Sequence, residues 1–190
     1  MSERSSLVLV GGGARSGKSA FAVRRALVRG PRRVFVATAE ALDDEMRARV
    51  AAHVEERGRA FATVEAPRDL DAALESLAAR PEPPDVVVVD CLTLWLSNVL
   101  LAGATPPAID ARVDRIARTL ASAPFPTLLV TNEVGFGVVP ETALGRTFRD
   151  VAGRAHQRLA RASGEIYLAA LGCVLRIKPS PVAIADEDAT

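Results

Sequence analysis

The stretch Leu7–Ser19, with the sequence LVLVGGGARSGKS, carries the strongest indication of the fold of this chain. It begins with an apolar run typical of a buried β-strand and continues into GGARSGKS at Gly12–Ser19, which matches the pattern G-x-x-x-x-G-K-[ST]. Glycines let the backbone curl so that successive N–H groups point at phosphate oxygens, and the following helix adds the positive end of its dipole. The stretch therefore predicts a strand, a phosphate-binding loop and a helix. The alternative is a chance glycine turn.

Two side chains of this loop have separate chemical tasks. Lys18 is expected to bridge the outer phosphates of a nucleotide, and the Ser19 hydroxyl is expected to ligate Mg²⁺. The residues of the loop that we predict to bind the nucleotide are Gly12, Gly13, Ala14, Arg15, Ser16, Gly17, Lys18 and Ser19.

Outward from the loop, the chain alternates between strand-like and helix-like patterns. The four consecutive valines Val86–Val89 are typical of a central parallel strand that is buried on both faces. The predicted fold class is α/β, a single P-loop (RecA-like) domain over residues 1–178 with a mostly parallel sheet and helices on both faces. Residues 179–190 are expected to form a mobile tail. The predicted strands are Leu7–Val10, Val34–Ala37, Val86–Val89, Thr127–Val130 and Ile166–Ala170, and the predicted helices are Gly17–Val28, Ala41–Arg57, Arg68–Ala79, Leu92–Leu101, Ile109–Leu120 and Thr142–Ala162.

Composition and charge exclude several classes of protein. Hydrophobic residues make up 49% of the 190 residues and charged residues 25%, which argues against a disordered chain. The 24 Lys and Arg residues nearly balance the 23 Asp and Glu residues, so no global basic field suggests nucleic-acid binding. No apolar run approaches the roughly 18–20 residues of a membrane span, and the N-terminal apolar stretch is too short for a signal peptide. Two cysteines, Cys91 and Cys173, form no disulfide framework or zinc site, so we expect a cytoplasmic location.

An acidic residue at the end of a buried strand is the second feature expected beside a phosphate loop, because it can hold Mg²⁺ and its water shell. Asp90 directly follows Val86–Val89 and is the predicted residue. An ordinary Asp that caps the next helix is the alternative. Glu133 follows the apolar run that ends at Val130 and competes for the same role.

A histidine lies between two arginines on one predicted helix face. Arg49, His53 and Arg57 are spaced at i, i+4 and i+8. Two neighbouring guanidinium groups disfavour protonation of the imidazole, and the neutral imidazole is the nucleophilic form. The residues alone leave two interpretations open, a phosphate-binding nucleophile or a solvated charged face. His156, on the long helix, is interpreted as structural.

Four stretches together resemble one known family, the bifunctional adenosylcobinamide kinase / adenosylcobinamide-phosphate guanylyltransferases of cobalamin biosynthesis. The last stretch is the most specific, since few other P-loop proteins carry TNEVG-x-G-(I/V)-VP followed by FRD-x-AG. The stretches are GGARSGKS at Gly12–Ser19, ATAEALDDEMRARVAAHVEERG at Ala37–Gly58, VDCLTLWLSN at Val89–Asn98 and TNEVGFGVVPETALGRTFRDVAGRAHQRLA at Thr131–Ala160.

The resemblance implies two reactions and a set of residues. The terminal hydroxyl of adenosylcobinamide takes a phosphate from ATP or GTP, and GMP then passes from GTP through a covalent GMP–histidine to the cobinamide phosphate. His53 matches the nucleophilic position. The resemblance also implies a homo-oligomer, in this family a trimer. Beyond the phosphate loop, the implied nucleotide contacts are Ala37, Thr38, Ala39, Glu56, Arg57, Gly58, Glu65 and Asp90, with Mg²⁺ held by Ser19 and Asp90.

Two other functions compete with this hypothesis. One is a single-activity P-loop kinase of another small metabolite, in which His53 has no chemical role. The other is a nucleotide-binding regulator in which the TNEVG-x-G stretch forms a partner surface. Covalent labelling by GTP is expected only for the bifunctional enzyme.

Overall fold

The fold is built on one seven-stranded sheet. The computed structural model describes residues 6–40 and 60–179. The strands lie side by side in the order β3-β2-β4-β5-β1-β6-β7, and all neighbours are parallel except β6 and β7. The strands are β1 (Leu7–Gly12), β2 (Arg33–Ala37), β3 (Ala62–Glu65), β4 (Val86–Asp90), β5 (Thr127–Asn132), β6 (Glu165–Ala170) and β7 (Cys173–Lys178).

Five helices connect these strands within the described ranges. They are α1 (Lys18–Leu27), α2 (Leu70–Ala78), α3 (Leu92–Leu101), α4 (Pro106–Ser122) and α5 (Ala143–Ala162). Helix α4 begins three residues before the predicted Ile109, because proline is tolerated in the first turn of a helix, where its missing N–H has no partner to lose. The other predicted helices in these ranges agree with the structure to within two residues at each end.

Alternation along the strands produces two apolar layers. On β4, Val87 and Val89 pack in the layer that contains α2, α3, α4 and α5, whereas Val86 and Val88 pack in the layer that contains α1. All four valines are fully buried. The prediction of a central parallel strand buried on both faces is therefore confirmed, as is the α/β class with helices on both faces.

Two strands were not predicted from the sequence. β3 is largely exposed, and its sequence ATVE has no apolar run of the length that marks a buried strand. β7 is also mostly exposed and lies at the sheet edge, antiparallel to β6. Neither strand has the hydrophobic pattern on which the prediction of a strand depends.

Parts of the sequence prediction lie outside the described residues. The helix predicted over Ala41–Arg57 and nearly all of the tail predicted over residues 179–190 are among them. Within the described ranges, no helix combines the length and apolar character that a membrane crossing requires.

Candidate functional site

The phosphate loop connects β1 to α1 at the carboxyl edge of the sheet. Gly17 precedes the helix with φ 91°, a left-handed conformation that glycine adopts without strain. Gly12 lies against the neighbouring strand, so that a Cβ at this position would stand 2.4 Å from the Ala169 carbonyl oxygen and 2.6 Å from Ser16 Oγ. The glycines of the motif are therefore required by a backbone turn and by a close approach.

Lys18 and Ser16 are buried inside this loop, each only 7% exposed. Lys18 Nζ donates a hydrogen bond to the Gly13 carbonyl oxygen at 2.9 Å, which holds the ammonium group over the loop. Ser16 Oγ has no hydrogen-bond partner among the described residues. A buried cation and an unpaired hydroxyl in a loop before a helix N-terminus are arranged to receive phosphate oxygens.

The carboxyl ends of neighbouring parallel strands bring more of the predicted residues to this edge. Ala37 on β2 lies opposite Glu65 on β3 and opposite Asp90 on β4. Asp90 in turn lies opposite Val130 on β5. Parallel strands end at the same edge of a sheet, where ligands of open α/β folds bind. The structure thus places Ala37, Glu65 and Asp90 in one row.

Thr38 is different, because its side chain is used inside the protein. It is fully buried, and its Oγ1 both accepts from the Cys91 N–H and donates to the Cys91 carbonyl oxygen, each at 2.7 Å. The Asn98 amide donates to the Thr38 carbonyl oxygen at 2.8 Å and to the Pro67 carbonyl oxygen at 2.9 Å. The Thr38 hydroxyl therefore joins the ends of β2 and β4.

A second hydrogen-bond network joins the residues that follow Asp90 to the end of β5. Asn132 donates to Thr93 Oγ1 through both its backbone N–H and its side-chain amide, each at 3.1 Å, and Thr93 Oγ1 lies 3.2 Å from Cys91 Sγ. Burial and the neighbouring Asp90 carboxylate raise the pKa of the Cys91 thiol, so the thiol is neutral. These contacts fix the start of α3 against the end of β5.

Glu133 reaches the phosphate loop directly. Its backbone N–H donates to the Gly12 carbonyl oxygen at 3.0 Å, and its carboxylate accepts from the Gly135 N–H. His156 on α5 lies behind it, with Nδ1 3.7 Å from Glu133 Oε2 and Nε2 2.7 Å from Thr131 Oγ1. Burial lowers the pKa of His156, and the attraction of Glu133 offsets only part of this effect.

The contact between Glu133 and His156 could not be predicted from the sequence, in which His156 has no charged pattern around it like that of His53. The two residues lie on different elements, and their separation in sequence carries no periodic signal. Polar residues at the end of β5, Thr131 and Asn132, were the only hint that a polar network lies there.

The donor set beside the loop fits a magnesium ion. Within residues 6–40 and 60–179, no three or more His, Cys, Asp or Glu side chains are grouped so that they could hold a metal on their own. Mg²⁺ is commonly bound by one or two protein oxygens together with substrate phosphates and water. The Ser19 hydroxyl and the Asp90 carboxylate are oxygen donors of this kind, and Glu133 supplies a further carboxylate at the same edge.

Four predicted site residues, His53, Glu56, Arg57 and Gly58, lie outside the described residues, as does Arg49. The exposed loop residues Ala14 and Arg15 lie in the turn before Ser16, and Arg15 has φ 54°. Ala39 follows Thr38 and is half-buried.

This protein is a nucleotide-binding α/β protein of the phosphate-loop type. The parallel sheet, the phosphate loop and the polar residues at the carboxyl ends of the strands define that class. A family model described as CobU, cobinamide kinase / cobinamide phosphate guanyltransferase, matches residues 8–177. The chain belongs to this family, and it is therefore a transferase of cobalamin biosynthesis. The family resemblance seen in the sequence is confirmed.

Named relatives agree with this family. The chain is 40% identical over 185 residues to the bifunctional adenosylcobalamin biosynthesis protein CobU of Salmonella typhimurium, covering 90% of this chain and 99% of that protein. It is 39% identical over 174 residues to the bifunctional adenosylcobalamin biosynthesis protein CobP of Pseudomonas aeruginosa, covering 92% and 98%. Among solved structures, the crystal structure of the RadB recombinase is similar with a TM-score of 0.47 and 16% identity, covering 85% of this chain and 73% of that chain.

Proposed function

We propose that this enzyme carries out both reactions of its family on one nucleotide-binding edge, with His53 as the covalent nucleophile. The observation that carries the proposal is the phosphate loop, in which Lys18 is buried over the Gly13 carbonyl oxygen. Asp90 ends β4 and Glu133 follows β5, so both lie at the carboxyl ends of the parallel strands, as the loop does. The substrates are adenosylcobinamide, its phosphate, and ATP or GTP.

In the first reaction, the terminal hydroxyl oxygen of adenosylcobinamide attacks the γ-phosphorus of the nucleotide. The bond from this phosphorus to the bridging oxygen breaks, the nucleoside diphosphate leaves, and the hydroxyl proton passes to water. Phosphoryl transfer depends mostly on positioning and charge neutralisation. Lys18 and the backbone N–H groups of the loop supply both to the outer phosphates.

In the second reaction, a neutral imidazole nitrogen of His53 attacks the α-phosphorus of GTP, and pyrophosphate leaves. A phosphate oxygen of adenosylcobinamide phosphate then attacks the same phosphorus, the P–N bond breaks, and adenosyl-GDP-cobinamide forms. The covalent step divides one displacement into two. Arg49 and Arg57, four residues before and after His53 in the sequence, neutralise charge on the α-phosphate.

Mg²⁺ is the cofactor in this proposal. Ser19 and Asp90 would hold it beside the nucleotide, where it supplies positive charge to the phosphates. The remaining proposed nucleotide contacts, Ala37, Thr38, Ala39, Glu56, Gly58 and Glu65, rest on the family resemblance. A homotrimeric assembly is proposed on the same basis, and light scattering of the purified protein tests it. The proposed cytoplasmic location rests instead on the two cysteines, which form no disulfide framework.

Replacement of Lys18 tests the assignment of the loop. Lys18→Ala removes the only side-chain cation buried in the loop, so we expect both cobinamide phosphorylation and GMP transfer to fall by at least about 100-fold. Lys178 is the only other lysine in the chain. It pairs with Ile166 near the start of β6, at the end of the sheet opposite to the phosphate loop. Lys178→Ala is the matched control and should keep both activities. Near-normal activity of Lys18→Ala would contradict the proposal.

A further inference from the structure

A shallow, open depression, which we call the cleft, lies between Gly135 and the side of helix α5. Its volume is about 330 Å³. Side chains that donate and accept hydrogen bonds line it, together with two glycines, of which Gly153 has open space above it. The lining residues are Gly135, Arg149, Asp150, Gly153, Arg154 and Gln157.

An exposed apolar surface borders the cleft. Phe136 is 85% exposed, Val138 92% and Val139 67%, and all three lie on the segment Glu133–Val139, which we call the 133–139 loop. Single exposed apolar residues are ordinary on a protein surface, but three within four residues of one loop, beside polar side chains, are characteristic of a binding surface.

The 133–139 loop is held by hydrogen bonds that leave these apolar side chains outward. Arg149 Nη1 donates to the Val138 carbonyl oxygen at 3.2 Å, and the Gly135 N–H donates to the Glu133 carboxylate. Arg146 Nη1 donates to the Pro140 carbonyl oxygen at 3.0 Å just beyond the loop. Hydrogen bonds therefore hold the backbone that carries these exposed side chains.

The loop begins where the chain contacts the phosphate loop. The Glu133 N–H donates to the Gly12 carbonyl oxygen at 3.0 Å, and Gly135, two residues later, already lines the cleft. A molecule seated in the cleft can therefore extend a short arm to the phosphate-binding edge.

The acceptor substrate has a matching chemistry. Cobinamide is a large macrocycle with apolar faces, a rim of primary amides and a short arm that ends in the reacting hydroxyl. We propose that the 133–139 loop and the facing side of α5 bind cobinamide, with Phe136 and Val138 against the ring and Arg149, Asp150 and Gln157 bonded to its amides. This assignment rests on the proposed function, because cobinamide is the acceptor there.

Two substitutions test the assignment with little risk to the fold. Phe136→Ser removes an apolar side chain that is already exposed. Gly153→Leu places a side chain in the cleft, because a Cβ on Gly153 meets no atom within 4 Å. Leu101→Ser is the matched control, since Leu101 is 63% exposed at the end of α3 and does not line the cleft.

The measurements are the KM of each variant for cobinamide and for GTP, equilibrium dialysis of cobinamide, and the molecular mass in solution. We expect the KM and Kd for cobinamide to rise about tenfold or more in Phe136→Ser and Gly153→Leu, while the KM for GTP stays within about twofold. Leu101→Ser should match the wild type.

Two results would overturn the assignment alone. One is that the wild type is active and both variants bind cobinamide with the same Kd as the wild type. The other is that the variants dissociate into smaller species while their cobinamide binding is unchanged. The surface around Phe136 and Gly153 would then be a contact between copies of this chain. A wild type that neither phosphorylates cobinamide nor transfers GMP would overturn the proposed function and this assignment together.

Discussion

At the scale of single residues, Gly12 shows how closely the phosphate loop is packed. A Cβ on Gly12 would meet the Ala169 carbonyl oxygen at 2.4 Å, and this backbone atom has no freedom to rotate away. We predict that Gly12→Ala lowers the free energy of unfolding by about 1–3 kcal/mol, as other overpacked sites do.

Urea denaturation of Gly12→Ala and Gly13→Ala checks this prediction. Gly13 is the matched control, because a Cβ on it meets nothing within 4 Å. Gly13→Ala should change the free energy of unfolding by no more than about 0.5 kcal/mol. Equal stability of the two variants would show that the loop packs differently.

Two carboxylates, Asp90 and Glu133, are candidates for the magnesium ligand. Asp90 ends the buried strand β4 and is half-buried, whereas the Glu133 carboxylate accepts from Gly135 and lies near His156. We predict that Asp90→Asn folds normally but needs several times more Mg²⁺ for half-maximal rate.

A magnesium titration of the kinase rate in Asp90→Asn and Glu133→Gln compares the two carboxylates. Glu133→Gln should change the half-maximal Mg²⁺ concentration much less than Asp90→Asn. If only Glu133→Gln shifts it, the magnesium role belongs to Glu133.

At the scale of elements, α2 and α4 are joined by a buried carboxylate. Asp71 on α2 has a side chain that is 5% exposed, and it accepts from Arg112 and, at 3.2 Å, from Arg115 on α4. Burial alone would raise the pKa of Asp71, but the hydrogen bond and charge of Arg112, with the charge of Arg115, hold this pKa below its ordinary value. The ion pair therefore stabilises the fold at neutral pH and loses this effect as the pH falls through the lowered pKa.

Replacement of this carboxylate tests the contact between the helices. We predict that Asp71→Asn lowers the free energy of unfolding at pH 7 by about 1–3 kcal/mol, because two arginines lose their charged partner. Asp69→Asn is the matched control, since the Asp69 side chain is 88% exposed and its contact with Arg112, at 4.0 Å, is long and weak. Thermal denaturation at pH 7 and near pH 3 measures both, and the difference between Asp71→Asn and the wild type should shrink at the lower pH.

At the scale of the whole molecule, the sequence predicted the elements that are buried and missed those that are exposed. Val86–Val89 and the phosphate-loop motif carry strong local signals, because burial on both faces and a backbone turn each constrain the residue types. β3 and β7 lie at the two edges of the sheet, where exposed positions accept many residue types, so no pattern marked them.

The candidate site likewise contains residues that a local motif marks and contacts that no local motif marks. Lys18, Ser19 and Asp90 could be proposed as site residues because each directly follows or lies in a recognisable local motif. The pairing of Glu133 with His156, and of Thr38 with Cys91, depends on how strands and helices far apart in sequence are stacked. Tertiary contacts of this kind leave no periodic trace in a single sequence.

Peptide mapping after incubation with GTP determines which residue carries the covalently bound GMP. The enzyme is incubated with GTP labelled on the α-phosphate, digested at alkaline pH and analysed by mass spectrometry. We predict GMP on His53 in the wild type, and no adduct and no GMP transfer in His53→Ala, which still phosphorylates adenosylcobinamide. GMP on His156 or Lys18 with His53 unmodified, or a full adduct in His53→Ala, would contradict the role of His53 as the nucleophile.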